Sequence, residues 1–172
     1  LEDMPGFEVF LSSYFAKGFD PWVYVEPRRF TDDTAELVRT DVNPLIEGTH
    51  LMFPRDRRAV QMVFDGRWEL PPHPVQWSIG RRLAGPLALR RSKSTGLVAA
   101  IMAPGDDCFA VATPYNMAPP DRVAGHVSLY LSLFGQDLKA GETAKARSRL
   151  VVSKGMTNTQ AIEAYRECEA GE

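Results

Sequence analysis

An imidazole at position 126 is the side chain best suited to acid or base work in this chain. Its ordinary pKa lies near neutrality, so modest surroundings set it as proton donor or acceptor. His126 opens the run His-Val-Ser-Leu-Tyr-Leu-Ser-Leu-Phe, which ends at Phe134. Two carboxylates, Glu8 and Glu26, lie on aromatic-rich stretches. Either one, facing His126 across a hollow surface, makes an acid–base pair able to move a proton on a bound ligand. Arg55 and Asp56 follow Phe53-Pro54, and the planar guanidinium fork suits a carboxylate or two neighbouring hydroxyls. Trp22, Trp68, Trp77 and Tyr115 offer flat apolar faces on which a ligand ring can stack, and Tyr130 shares the polar side of its strand with His126. Each residue also has a structural reading. These are a strand-end histidine bonded to backbone, exposed strand carboxylates, a solvated turn ion pair, and tryptophans packed in a core. Tyr115 stands in a proline-rich loop, where sandwich folds commonly build binding sites.

Other chemistries lack their residues. Cys108, Cys168 and three scattered histidines give no zinc spacing. Asp106-Asp107 in a Pro-Gly-Asp-Asp sequence reads as turn chemistry rather than a calcium loop. Gly66, Gly80 and Gly85 fit neither a dinucleotide fingerprint nor a P-loop, and no nucleophile elbow surrounds the serines near His126. No metal or cofactor is expected. A net charge of −2 and a pI of about 6.0 give no basic excess for nucleic acid, although Arg55, Arg57 and Arg58 form a local basic patch. No run of about 18 apolar residues is present to span a membrane as a helix. No signal peptide is visible. The chain begins at Leu1, so an upstream signal and the compartment, cytoplasmic or exported, are left open. Cys108 is expected as a buried thiol and Cys168 in a frayed tail, with no disulfide required.

The elements that must position these residues are mostly strands. In the run ending at Phe134, Val127, Leu129, Leu131 and Leu133 alternate with His126, Ser128, Tyr130 and Ser132. That period of two is a strand with one buried face. Residues 7–15 read as a first strand with Phe7, Val9, Leu11 and Phe15 on one face, and Ser12 and Tyr14 on the other. Gly18 and Pro21 break the chain, and Trp22–Glu26 is a second strand. Ala35–Arg39 and Val75–Ile79 are short strands, and Leu51-Met52-Phe53 packs inward. Asp65-Gly66 predicts a tight hairpin joining 59–64 to 67–70. Strands follow at 87–91, 97–103, 108–113 and 126–134, and a long last one at 142–152. The strand at 97–103 is nearly all apolar and should lie centrally. A helix over 159–167 is capped by Thr157 or Asn158. Eight to eleven short strands and one terminal helix predict an all-β antiparallel sandwich, and 172 residues suit a single domain.

The segments Gly96–Ala103, Cys108–Thr113, His126–Phe134 and Leu138–Val152, with their Ala-Gly-Glu turn and closing Leu-Val-Val, resemble the carboxyl-terminal half of galactose-mutarotase-like β-supersandwiches. Phe53-Pro54-Arg55-Asp56 and residues 107–115 also resemble segments of uncharacterised bacterial proteins of this type. Such sandwiches occur in sugar epimerases, in polysaccharide lyases and as accessory domains of glycoside hydrolases. The resemblance implies a saccharide ligand. It also implies a larger fold, so that missing amino-terminal strands or a partner chain would complete the sandwich. Mutarotases use a histidine and a glutamate across a concave sheet. Their histidine motif is not found here, and no catalytic residue is carried over. Three functions remain open: a carbohydrate-recognising sandwich, a sugar-active epimerase or lyase using His126 with a carboxylate, and an interaction sandwich without a small ligand.

Overall fold

A computed structural model of the chain describes residues 2–15, 18–27, 34–40, 50–69, 75, 77–114 and 128–171. In chain order these form β1 (Met4–Tyr14), β2 (Phe19–Val25), β3 (Glu36–Arg39), β4 (His50–Pro54), α1 (Arg57–Val63), β5 (Trp77–Ile79), β6 (Leu83–Ser92), β7 (Leu97–Met102), β8 (Cys108–Pro114), β9 (Ser128–Leu138), β10 (Arg149–Lys154) and α2 (Asn158–Ala170). The strands build two five-stranded sheets. The first runs β1-β9-β8-β4-β5 and the second β10-β7-β6-β2-β3. All pairings are antiparallel except β4 with β5. The chain reaches β5 only after crossing over through α1, which is the kind of connection a parallel pair requires.

The alternation in β9 sets the layers. Leu129, Leu131 and Leu133 are buried between the sheets with Val23, Ala88 and Ile101, while Ser128, Tyr130 and Ser132 turn to the outer face of the first sheet. β7 is covered on both sides, as its apolar run predicts. Ile101 enters the inter-sheet core, and Val98, Ala100 and Met102 lie beneath α2. Thr157 caps α2 with a reciprocal box: its Oγ1 accepts from Gln160 N, and Gln160 Oε1 accepts from Thr157 N. Tyr165 of α2 rests on Gly85 so closely that a Cβ there would lie 2.4 Å from the phenol ring. Cys168 is buried under this helix rather than in a frayed tail, and both thiols are free. Burial pushes the Cys108 thiol up to about 12, so it stays protonated.

Four expectations are corrected. The hairpin at 59–70 gives way to α1, a short helix begun by Asp56, whose Oδ1 accepts from Ala59 N at 2.9 Å. Ala59, Met62 and Val63 then fall on one stripe and cover Met52 and Ala112 of the first sheet. A cap plus a buried face outweighs the turn propensity of Asp65-Gly66. The long last strand shortens to 149–154, because residues before it spend backbone groups elsewhere; Arg147 N donates to Asp107 Oδ2 at 2.9 Å. Pro21 does not end the chain's run but sits inside β2, where its carbonyl accepts from Thr40 N. Finally, Val9 and Leu11 are not buried: they are 40% and 37% exposed.

Asp56 is a checkable cap. Burial alone would raise its pKa, but the Ala59 amide and the Arg55 guanidinium outweigh that and hold it low. A lowered pKa means its stabilising contribution is present above the ordinary carboxylate range and fades as pH falls through the folded value. Asp56→Ala is expected to cost about 1 kcal/mol at neutral pH, read as a shift in the urea midpoint, with a smaller difference in acid.

Candidate functional site

The outer face of the first sheet gathers the polar residues of its strands. In register, Phe10 lies opposite Ser132, Ser12 opposite Tyr130, and Tyr14 opposite Ser128. β8 contributes Ala110 and Ala112 opposite Ser132 and Tyr130, and Phe109 joins the same buried cluster. Small side chains leave room for large rings above them. Phe10 stands at the centre of an aromatic cluster, with ring centroids 5.0 Å from Trp68, 5.0 Å from Tyr130 and 6.0 Å from Trp77. Trp68 and Trp77 meet edge to face at 5.2 Å, and His50 meets Trp77 at 5.4 Å. α1 and Trp68 roof this face.

Among these rings two indole N–H groups, Trp68 Nε1 and Trp77 Nε1, are sealed from solvent and complete no hydrogen bond, while the buried hydroxyls of Ser12 and Ser128 lie at Tyr130 and that of Ser132 at Glu8. Burying such atoms without partners costs about 1–3 kcal/mol each, and native proteins tolerate few of them. Burial raises the Tyr130 phenol, with the nearby Ser128 and Ser12 hydroxyls opposing it. Glu8 is the one carboxylate in the cluster, its side chain only 8% exposed. Burial raises its pKa, countered in part by Arg67 and by the Ser132 hydroxyl beside it.

Arg67 closes the site toward solvent. Its NH1 donates to Gly6 O at 2.8 Å and to Glu8 Oε2 at 3.3 Å, and its Nε donates to Asp65 at 2.9 Å. Hydrogen bonding to Asp65 holds the Arg67 pKa above its ordinary value and the Asp65 carboxyl below its own. Outside Arg67 runs an open groove of about 800 Å³. Its floor is Pro5, Gly6 and Met62, and its rim is Arg58, Gln61, Asp65 and Asp137. Asp137 Oδ1 accepts from Gly6 N at 2.8 Å and from Arg58 NH2 at 3.2 Å. Two guanidiniums, two carboxylates and a primary amide thus face one solvent-filled space.

The sequence-predicted residues are distributed unevenly around this site. Glu8, Trp68, Trp77 and Tyr130 come together on it. Glu26 lies beyond β2 in the second sheet and pairs with Arg82 at 3.3 Å. Arg55 and Asp56 bond each other at 3.0 Å, Arg55 NH1 donates to Gly105 O, and Asp56 caps α1; both serve the fold where they stand. Trp22 lies on the second sheet, beneath the Arg91 guanidinium at 5.5 Å. His126 and Tyr115 lie outside the described residues, so the acid–base pair has only its Glu8 half on view. Arg67 and Ser132 were not singled out by sequence reasoning. The signal for Arg67 was Asp65 two residues before it, which was read as turn chemistry alone.

Among the described residues no group of histidine, cysteine and carboxylate side chains is placed to hold a metal ion, and no helix is long and apolar enough to cross a membrane. Comparison with protein-family models, with curated proteins and with solved structures finds no match.

Proposed function

We propose that the protein recognises a saccharide, without transforming it, in the groove between β1, α1 and residues 65–67. The observation that carries this reading is the open groove itself, where Arg58, Gln61, Asp65, Arg67 and Asp137 set two guanidiniums, two carboxylates and a primary amide around one space, with Arg67 anchored on the buried Glu8 behind it. A sugar hydroxyl is both donor and acceptor. It can accept from the Arg58 guanidinium or the Gln61 amide and donate to Asp65 or Asp137. The planar polar rim extends the same chemistry, since guanidinium, carboxylate and amide groups each engage neighbouring hydroxyls in pairs. In this reading the tryptophans support the site from behind rather than stacking on the ring. The resemblance of residues 96–152 to sugar-handling sandwiches points the same way.

Calorimetric titration with a panel of neutral and acidic mono- and oligosaccharides tests the proposal, with Trp68 fluorescence as a second readout. At least one class is expected to bind saturably and be recovered unchanged. Arg58→Ala and Gln61→Ala at the rim are each expected to weaken it about tenfold, or about 1.4 kcal/mol, with circular dichroism unaltered. No saturable binding, or equal affinity in both variants, would overturn the assignment; turnover of the sugar would replace recognition with catalysis.

A further inference from the structure

Among the described residues, one long side of the sandwich is open. The core between the sheets runs through β6, β7, β8 and β9. The strands next outward on the same side are β1 in the first sheet and β10 in the second. Val9 and Leu11 of β1 pair with Leu133 and Leu131, so they face the inter-sheet interior. Leu150 and Val152 of β10 pair with Ile101 and Ala99, and Ile101 belongs to that same interior. All four aliphatic side chains therefore point inward. Yet Leu150 and Val152 are 60% and 61% exposed, and the two on β1 are well exposed also. Scattered exposed aliphatics are ordinary on a protein surface, but two facing rows of them between unpaired edges are not.

We infer that a second copy of this chain covers this side, through antiparallel pairing of β1 with β1 of the other copy. Charge selects the strand. Natural edge strands are guarded by lysine, arginine or inward charges that discourage pairing. β10 is guarded in this way: Arg149 and Lys154 belong to it, and Lys145 and Arg147 precede it. Two β10 edges would set like charges against each other. β1 carries no such guard. Its only charged residue, Glu8, is turned onto the covered outer face and held by Arg67, and residues 9–14 are uncharged.

The register follows from the side-chain period. Only pairings that keep odd residues opposite odd ones leave the aliphatic face inward. A two-fold axis through Phe10 places Val9 of each copy opposite Leu11 of the other. Both aliphatics of each β1 then meet an aliphatic, next to Leu150 and Val152 across the sandwich. On the outer face Glu8 falls opposite Ser12 of the second copy, with no like charge facing it. Such a contact is self-complementary and closes after two copies. The proposal is independent of the saccharide reading.

Sedimentation equilibrium of the full chain tests it. The expected mass is twice 19.2 kDa. Val9→Lys and Leu11→Lys should each shift the protein to monomer, with the far-ultraviolet dichroism kept, because both sites are solvent-accessible in one copy. Phe64→Lys, at a still more exposed apolar residue just past the end of α1, should remain dimeric. A monomeric wild type overturns the proposal, as do lysine variants of β1 that stay dimeric. Open-ended oligomers dispersed by Leu150→Lys would overturn it too, by showing heterologous pairing.

Discussion

Gly135→Ala is expected to lower stability by about 3 kcal/mol, a large effect for one added methyl group. Two independent penalties meet at this position in β9. The backbone is left-handed, at φ 72°, which costs an L-residue about 1–2 kcal/mol. A Cβ would also lie 2.5 Å from Cδ1 of Phe109, a fully buried ring in a packed layer. Forcing atoms into such a layer costs about 1–3 kcal/mol. Gly66→Ala separates the two contributions. Its φ is 92°, but nothing lies within 4 Å of the added carbon, so only the backbone cost of about 1 kcal/mol applies. Urea denaturation of both variants checks the difference. Equal losses at the two positions would show that Phe109 moves aside freely.

Arg67→Met is expected to cost about 2–3 kcal/mol at neutral pH, near the lower end for a broken buried ion pair because Arg67 is partly solvated. The methionine keeps much of the volume and removes the partner of Glu8 Oε2. The Glu8 carboxylate is then left buried without its cationic partner. Glu8→Gln in the same chain should restore most of the loss, since it removes the stranded charge. In the wild-type background Glu8→Gln alone is expected to be neutral or slightly stabilising. The sign follows from the raised Glu8 pKa, set first by burial. A carboxyl that holds its proton more tightly when folded contributes stability in acid and loses it as pH rises through the folded value. The glutamine has no such slope, so Glu8→Gln should gain on the wild type between about pH 4 and pH 7. A thermal-melt series across that range reads it; a gain on acidification instead would mean that Arg67 outweighs burial.

Alternation made the core legible. In β9 and β7 the apolar positions repeat without interruption, and their faces are where the period puts them. The Thr157 cap and the stripe Ala161, Tyr165 were likewise readable, because helix ends and faces are local. What was not readable depends on which strands are neighbours. Val9 and Leu11 alternate as well as any core strand, but β1 is an edge strand whose inward face stays partly open to solvent. α1 hid behind a strong turn signal, since seven residues carry too little periodicity to compete with Asp65-Gly66. The site suffered most from this. Ser12 and Tyr130 were flagged for their chemistry, but only their pairing across β1 and β9 places them together. Arg67 acquires its role only once α1 carries the chain over the outer face of the first sheet.

Helix α2 seals Leu87, Leu89, Val98 and Met102 on the outer face of the second sheet. Ribosomes deliver a polypeptide from its amino end, so β6 and β7 leave the exit tunnel well before residues 158–170 do. During that interval the nascent sheet presents a bare oily surface to the crowded cytosol or to an export channel. Its fate then depends on translation speed and on chaperones that shield such surfaces, a vulnerability that the finished molecule no longer displays.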